Sequence, residues 1–307
     1  MKEKRIFVTG ATGFIGSAIV KELIGEGHDV LGLARSDAGA QALAASGAQV
    51  HRGSVEDLDS LQRAAEACDG VIHTAFNHDF SKWKENSEND RHAIETLGAV
   101  LAGSDRRLVI TSGTAIATSP GRIGTEETKI TISSTEVPRV ASEEAADAIA
   151  SLGADVSVVR LSPTVHGKGD HGFVPMLIKL ARDKGVSAYI GDGQNRWSAV
   201  HRIDAAKLFV LALEKGEKSA RYHGVAEPGI AFGTIAESIG RGLDVPVKSL
   251  SPEEAAEHFG WFAHFAALDA AASSAITRER LGWNPTQPTL LDDLENAGYF
   301  EAAVQAV

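Results

Sequence analysis

Over the first 165 residues, short apolar runs alternate with stretches in which apolar residues recur every three or four positions. The runs predict strands at Arg5–Thr9, Asp29–Ala34, Ala48–Arg52, Gly70–Ala75, Arg107–Thr111 and Val156–Leu161. Several carry Val and Ile at successive positions, as strands covered by helices on both sides do. After the first run, Ile15, Ala18, Ile19 and Leu23 draw one apolar stripe along a helix. Ala38–Ser46, Leu58–Ala67, Asn86–Gly103 and Ala141–Ser151 fit further helices. Strand and helix in strict alternation predict an α/β protein with a doubly wound parallel sheet.

After Leu161 the rhythm changes. Pro163, Gly167, Gly169 and Gly172 interrupt it, Phe173–Lys184 reads as a helix, and Val200–Lys215 reads as a helix-rich return segment. From Arg221 onward short strands and helices mix, punctuated by Pro228, Pro246, Pro252, Pro285 and Pro288. The expected division is a dinucleotide-binding unit over residues 1–165, with a return near 196–225. Residues 166–195 and 226–307 then form a smaller α+β substrate unit.

Composition narrows the partners. Of 307 residues, 41 are acidic and 30 basic, a net charge of −11 with no Lys/Arg run, so neither nucleic acid nor an anionic membrane is expected. No apolar stretch reaches the roughly 18 residues of a membrane span, and the first apolar run stops at a glycine turn instead of continuing as a leader. Cys68 is the only cysteine, which suits a reducing, cytoplasmic setting and a buried filler. A small-molecule substrate is the expected partner, and a homodimer stays open.

The chemistry begins at Val8–Gly16, "VTGATGFIG". Gly10, Gly13 and Gly16 fall where a strand ends and an amphipathic helix begins. There, main-chain amides without a Cβ in the way can grip a diphosphate at a helix N-terminus. This is the Rossmann arrangement. At the end of the second strand, "VLGLARSD", Ala34 stands where a ribose-binding carboxylate would be sought, followed by Arg35 and Ser36. A cation there accommodates the 2′-phosphate of NADP, so NADP is expected over NAD, with Asp37 as the counter-argument.

"TGATGFIG" together with "VIHTAF", "RLVITSGTAIA", "VVRLSPTVHG", "WSAVHRIDAAKLF" and "LGWNPT" resembles the extended short-chain dehydrogenase/reductase superfamily, which includes nucleotide-sugar epimerases, dehydratases and dihydroflavonol-type reductases. The resemblance covers nearly the whole chain. It implies that Gly10, Thr12, Gly13, Phe14, Ile15 and Gly16 line the pyrophosphate, and that Arg35 and Ser36 meet the 2′-phosphate. It further implies Ser54 and Val55 at the adenine, Thr74, Ala75 and Phe76 under the nicotinamide-side ribose, and Pro163, Thr164 and Val165 at the nicotinamide.

The resemblance also implies a catalytic Tyr, with a Lys one helical turn later to lower its pKa. The three tyrosines are Tyr189, Tyr222 and Tyr299, and none is followed four residues later by Lys. Counted from "TSGTA", Arg139 falls on the Tyr position and Glu143 on the Lys position, with Ser112 and Thr114 flanking the Ser position. An Arg139–Glu143 pair could orient the guanidinium toward a carbonyl or carboxylate, with His166 or His201 moving the proton. The expected activity is an NADP(H)-dependent oxidoreductase acting on a small, partly apolar carbonyl or alcohol. An epimerase or dehydratase, or a dinucleotide-binding sensor without turnover, are the alternatives. The pocket is expected between His166–Gly172, Tyr189–His201 and "HFGWFAHFAALD", with Phe259, Trp261, Phe262 and Phe265 as aromatic surface. "HGKGDHGF" holds two histidines and Asp170, yet no second ligand pair accompanies them, and no metal is expected.

Overall fold

The computed structural model describes residues 3–301. Seven of its strands form one parallel sheet. They are β1 (Arg5–Thr9), β2 (Asp29–Ala34), β3 (Gln49–Arg52), β4 (Gly70–His73), β5 (Arg107–Gly113), β6 (Asp155–Leu161) and β10 (Arg221–Gly224), in the order β3-β2-β1-β4-β5-β6-β10. The direction of strand addition reverses between β1 and β4, so the carboxyl ends of those two strands open a crevice.

Side chains alternate across each strand, and this explains the unbroken apolar runs. Ile6, Val8, Ile72, Val109 and Val159 pack beneath α1 (Gly16–Gly25) and α7 (Arg202–Lys215). Phe7, Val71, Leu108, Ile110 and Val158 face α3 (Leu58–Glu66), α4 (Trp83–Leu101) and α5 (Ala141–Ser151) on the other side. The remaining crossover, α2 (Asp37–Ala45), is capped by Ser36, whose hydroxyl accepts from the Gly39 amide.

Two departures from the sequence pattern are instructive. Residues 196–201 form a strand, β9, and the return helix starts only at Arg202, because the His201 side chain caps it by accepting from the Ile203 amide. The seventh strand, β10, reads "RYHG" and has no apolar run. Tyr222 alone fills its core face, its hydroxyl accepting the Glu217 amide at 2.7 Å.

A second sheet joins β7 (Thr164–His166), β9 (Arg196–His201) and β11 (Glu227–Ala231), while β8 (Ser187–Ile190) pairs with β12 (Val247–Leu250). Around them α6 (Phe173–Lys184), α8 (Phe232–Leu243), α9 (Pro252–Phe259), α10 (Ala263–Ala266) and α12 (Leu290–Asn296) enclose a separate core on Trp197, Phe232, Phe259 and Phe262. Between α10 and α12, α11 (Ala275–Leu281) precedes "LGWNPT". Buried Asp204 ties that motif down: its carboxylate accepts the Thr286 and Gln287 amides, and its carbonyl accepts Trp283 Nε1.

Candidate dinucleotide site and the cleft beside it

The glycine turn has the geometry its composition predicts. Gly10 sits at φ +66°, and a Cβ there would lie 2.7 Å from Thr74 Oγ1 and 2.8 Å from the Ala75 amide. A Cβ on Gly16 would lie 2.0 Å from the Gly10 carbonyl oxygen, so α1 can approach β1 only without it. A Cβ on Gly13 would meet only that same oxygen, at 3.1 Å, and otherwise open space. The amides of Thr12, Phe14 and Ile15 find no acceptor among the described residues, and α1 starts with no side-chain cap and no acidic residue in its first turn. A helix N-terminus with free amides and no competing carboxylate fits a diphosphate.

At the next strand ends, Arg35 and Ser36 are exposed. Asp37 is engaged by Arg52, whose guanidinium also donates to the Ser36 carbonyl. Arg52, a cation beside the expected 2′-phosphate position, escaped the sequence reading because it belongs to the following strand. Ser54 accepts from the Glu56 amide, and Val55 packs on the sheet core. Thr74 donates to the Thr9 carbonyl, and the Ala75 amide donates to Thr9 Oγ1. Pro163 and Val165 are half-buried, and Thr164 is buried with its hydroxyl unpartnered.

Two ion pairs replace the one expected. Arg139 and Glu143 do not pair. Arg139 donates to Asp90 at 2.9 Å, to the Thr111 carbonyl and to Ser142, and its guanidinium lies 4.2 Å from the Phe76 ring centroid. Glu143 instead points into the protein, where Arg160 holds both of its oxygens at 2.6 and 2.8 Å and Arg221 Nε approaches to 3.3 Å. The physical reason is burial. Glu143 lies almost wholly out of solvent and needs partners that are themselves buried, which the adjoining strands β6 and β10 supply. Burial alone would raise its carboxyl, but the bonds and charge of Arg160, then Arg221, hold it below the ordinary range.

Behind Arg139 runs a buried chain unseen in the sequence. Asp90 accepts from His73 Nε2 at 2.9 Å, and His73 Nδ1 lies 2.8 Å from Thr9 Oγ1. Because Asp90 accepts from Nε2 and the Ala75 amide donates to Thr9 Oγ1, Thr9 is free to donate to Nδ1, and a neutral imidazole satisfies every member. Burial opposes ionisation of Asp90, but Arg139, then His73 and Ser142, outweigh it and bring the carboxyl to about 2.

The other residues expected to be catalytic lie in differing surroundings. His166 is fully buried, with Nδ1 at 2.6 Å from Asp293 of α12, and burial lowers its pKa. His201 is the cap of α7. The His166 ring is closed off from solvent, whereas His201 is half-buried and uses only Nδ1 for its cap. Thr114 is buried with its hydroxyl 3.5 Å from Ser198, and the Ser112 hydroxyl is buried without a partner. Phe259 and Phe262 belong to the core, and Tyr189 packs against that core too. Trp261 and Phe265 face the other unit: Phe80 stacks between Trp83 at 4.7 Å and Trp261 at 5.0 Å, with Phe265 at its edge. Burial raises the Cys68 thiol to about 11, which makes it inert filler. Among the described residues, no cluster of His, Cys, Asp and Glu is placed to hold a metal, and no helix is long and apolar enough to cross a membrane.

Similar proteins share this plan. An uncharacterised protein of Schizosaccharomyces pombe is 52% identical over 96% of this chain and 100% of its own length. An uncharacterised protein of Saccharomyces cerevisiae is 43% identical over 94% of this chain and 97% of its own. The dTDP-glucose 4,6-dehydratase of Streptomyces venezuelae, solved with NAD bound, superposes with a TM-score of 0.78 at 20% identity, covering 96% of each chain. The family described as the NAD dependent epimerase/dehydratase family matches residues 6–224. The chain belongs to the NAD dependent epimerase/dehydratase family, within the extended short-chain dehydrogenase/reductase superfamily.

Proposed function

We propose that the protein is an NADP(H)-dependent oxidoreductase acting on a small, partly apolar carbonyl or alcohol. The observation that carries the reading is the cradle at Gly10–Gly16, where a Cβ-free surface and unpartnered amides meet at a helix N-terminus. NADP is favoured over NAD because Arg35 is exposed at the end of β2 while Arg52 engages Asp37, the carboxylate that argued for a ribose. An apolar substrate suits the aromatic wall of Phe76, Phe80, Trp83, Trp261 and Phe265.

A bound nicotinamide supplies or takes the hydride. The chain's own residues grip the diphosphate through the Gly10–Gly16 amides, neutralise the 2′-phosphate through Arg35, and flank the nicotinamide with Pro163, Thr164 and Val165. The test is dinucleotide binding, followed by turnover on a panel of carbonyl compounds. Arg35→Ala should weaken NADPH by roughly 10- to 100-fold, the worth of a charged hydrogen bond, and leave NADH almost untouched. Equal losses for both would overturn the NADP assignment.

A further inference from the structure

We propose that His78 is the acid/base of the reaction and that Arg139 polarises the substrate oxygen beside it, so that the two together stand in for the missing Tyr and Lys. This rests on the oxidoreductase reading. His78 lies five residues after the end of β4, on the segment that leaves the crevice where the sheet order reverses. Its ring meets Phe76 edge-to-face at 5.2 Å, and the same Phe76 ring carries the Arg139 guanidinium at 4.2 Å. One aromatic ring therefore positions both groups beside the place expected for the nicotinamide ribose.

Four other histidines are committed elsewhere. His73 is bonded to Asp90 and Thr9, His166 to Asp293, and His223 to the Ser273 carbonyl, while His201 caps α7. Among the described residues no other side chain hydrogen-bonds His78, its residue is solvent-exposed, and neighbouring Asp79 turns away to Ser81. Arg139 is held from behind by Asp90 and Thr111, while its Nε–H finds no acceptor among the described residues. A fixed guanidinium with an open N–H suits a developing oxyanion, and Arg cannot itself give up a proton.

In the reductive direction the carbonyl carbon accepts a hydride from a reduced nicotinamide dinucleotide. The C=O π pair moves to oxygen, which Arg139 stabilises, and the oxygen takes a proton from protonated His78. The products are an alcohol, oxidised dinucleotide and neutral imidazole, which solvent reprotonates. Partial enclosure depresses the His78 pKa, the charges of Arg139 and His171 add to this, and the Phe76 carbonyl and Asp90 oppose it. Carbonyl reduction should therefore gain rate as pH falls toward that depressed value, and alcohol oxidation as pH rises above it.

The decisive experiment follows the His78 ring resonances by NMR against pH in the full chain, alone, with NADPH and with NADP⁺. Placement at the nicotinamide predicts a lower His78 pKa with the cationic NADP⁺ than with NADPH, and Arg139→Leu should raise it in every form. Identical titrations in all three forms, with dinucleotide bound normally, would overturn the His78 assignment alone. Failure to bind dinucleotide would overturn the parent reading instead. In turnover, His78→Gln should keep dinucleotide affinity within about twofold while kcat falls on the order of 100-fold or more, with partial rescue of His78→Ala by added imidazole. Wild-type kcat in His78→Gln would also overturn it.

Discussion

Replacing Glu143 by Gln tests whether the helix that should carry Tyr and Lys has been rebuilt as a structural strut. The carboxylate is buried, grips Arg160 through both oxygens and reaches Arg221. Removing its charge leaves the guanidinium of Arg160, itself 3% exposed, without a counter-ion. Breaking a buried pair in this way costs about 3–5 kcal/mol, whereas losing a solvent-facing helix pair costs only about 0.3–0.5 kcal/mol. At roughly 2 °C per kcal/mol for a chain of this size, the buried case predicts a fall in Tm of about 6–10 °C. Urea and thermal unfolding measure it, and a double-mutant cycle identifies the partner. Glu143 and Arg160 should couple by about 2 kcal/mol or more, and Glu143 and Arg139 by less than about 0.5 kcal/mol. A loss below about 1 kcal/mol, or strong coupling to Arg139, would refute the buried arrangement.

Gly16→Val sets a branched side chain against the Gly10 carbonyl, where even a Cβ would sit at 2.0 Å, so dinucleotide affinity should fall at least tenfold; unchanged binding in a folded variant would remove the cradle from the argument. Stability should also decline with acid before the carboxylates titrate. Burial holds His223 at about 4 against 6.5 for the free group, with Arg160 depressing it further and Glu126 opposing. The unfolded chain takes up this proton near pH 6.5 and the native chain does not. The stabilisation is thus full above 6.5 and shrinks as pH falls toward 4, by about 3 kcal/mol across the window. Urea unfolding between pH 7.5 and 5 should show the slope, and a flat profile would contradict it.

What the sequence revealed depended on how local the signal was. Strands β1 and β2 and the glycine turn lie in consecutive residues, and their apolar runs and Gly spacing mark them directly. The strand β10 did not show itself, because "RYHG" earns its place only through distant partners: Tyr222 reaches the Glu217 amide, while the His223 ring bonds the Ser273 carbonyl and its amide donates to Thr277 Oγ1. Arg52 beside Asp37, and Asp90 behind Arg139, are likewise contacts between segments that no spacing rule connects. The spacing of four between Arg139 and Glu143 placed them on one helical turn. It could not show that each had a better partner across the fold.

That misreading bears on how the site works. A Lys on the helix face would be a cation serving a phenol; Glu143 is an anion, and it is turned inward to neutralise Arg160 and Arg221. With an anion there, a Tyr in the Arg139 position would have its pKa raised, not lowered, so the two replacements make sense only together. Arg139 in turn requires a counter-ion, and Asp90 supplies it from α4, tied through His73 to Thr9 at the mouth of the glycine turn. A positive charge is thereby kept four residues before Glu143 and tied through Asp90 and His73 to β1, the strand that leads into the glycine turn. In the proposed reaction such a guanidinium would stabilise an oxyanion without giving a proton, and His78 would supply that proton.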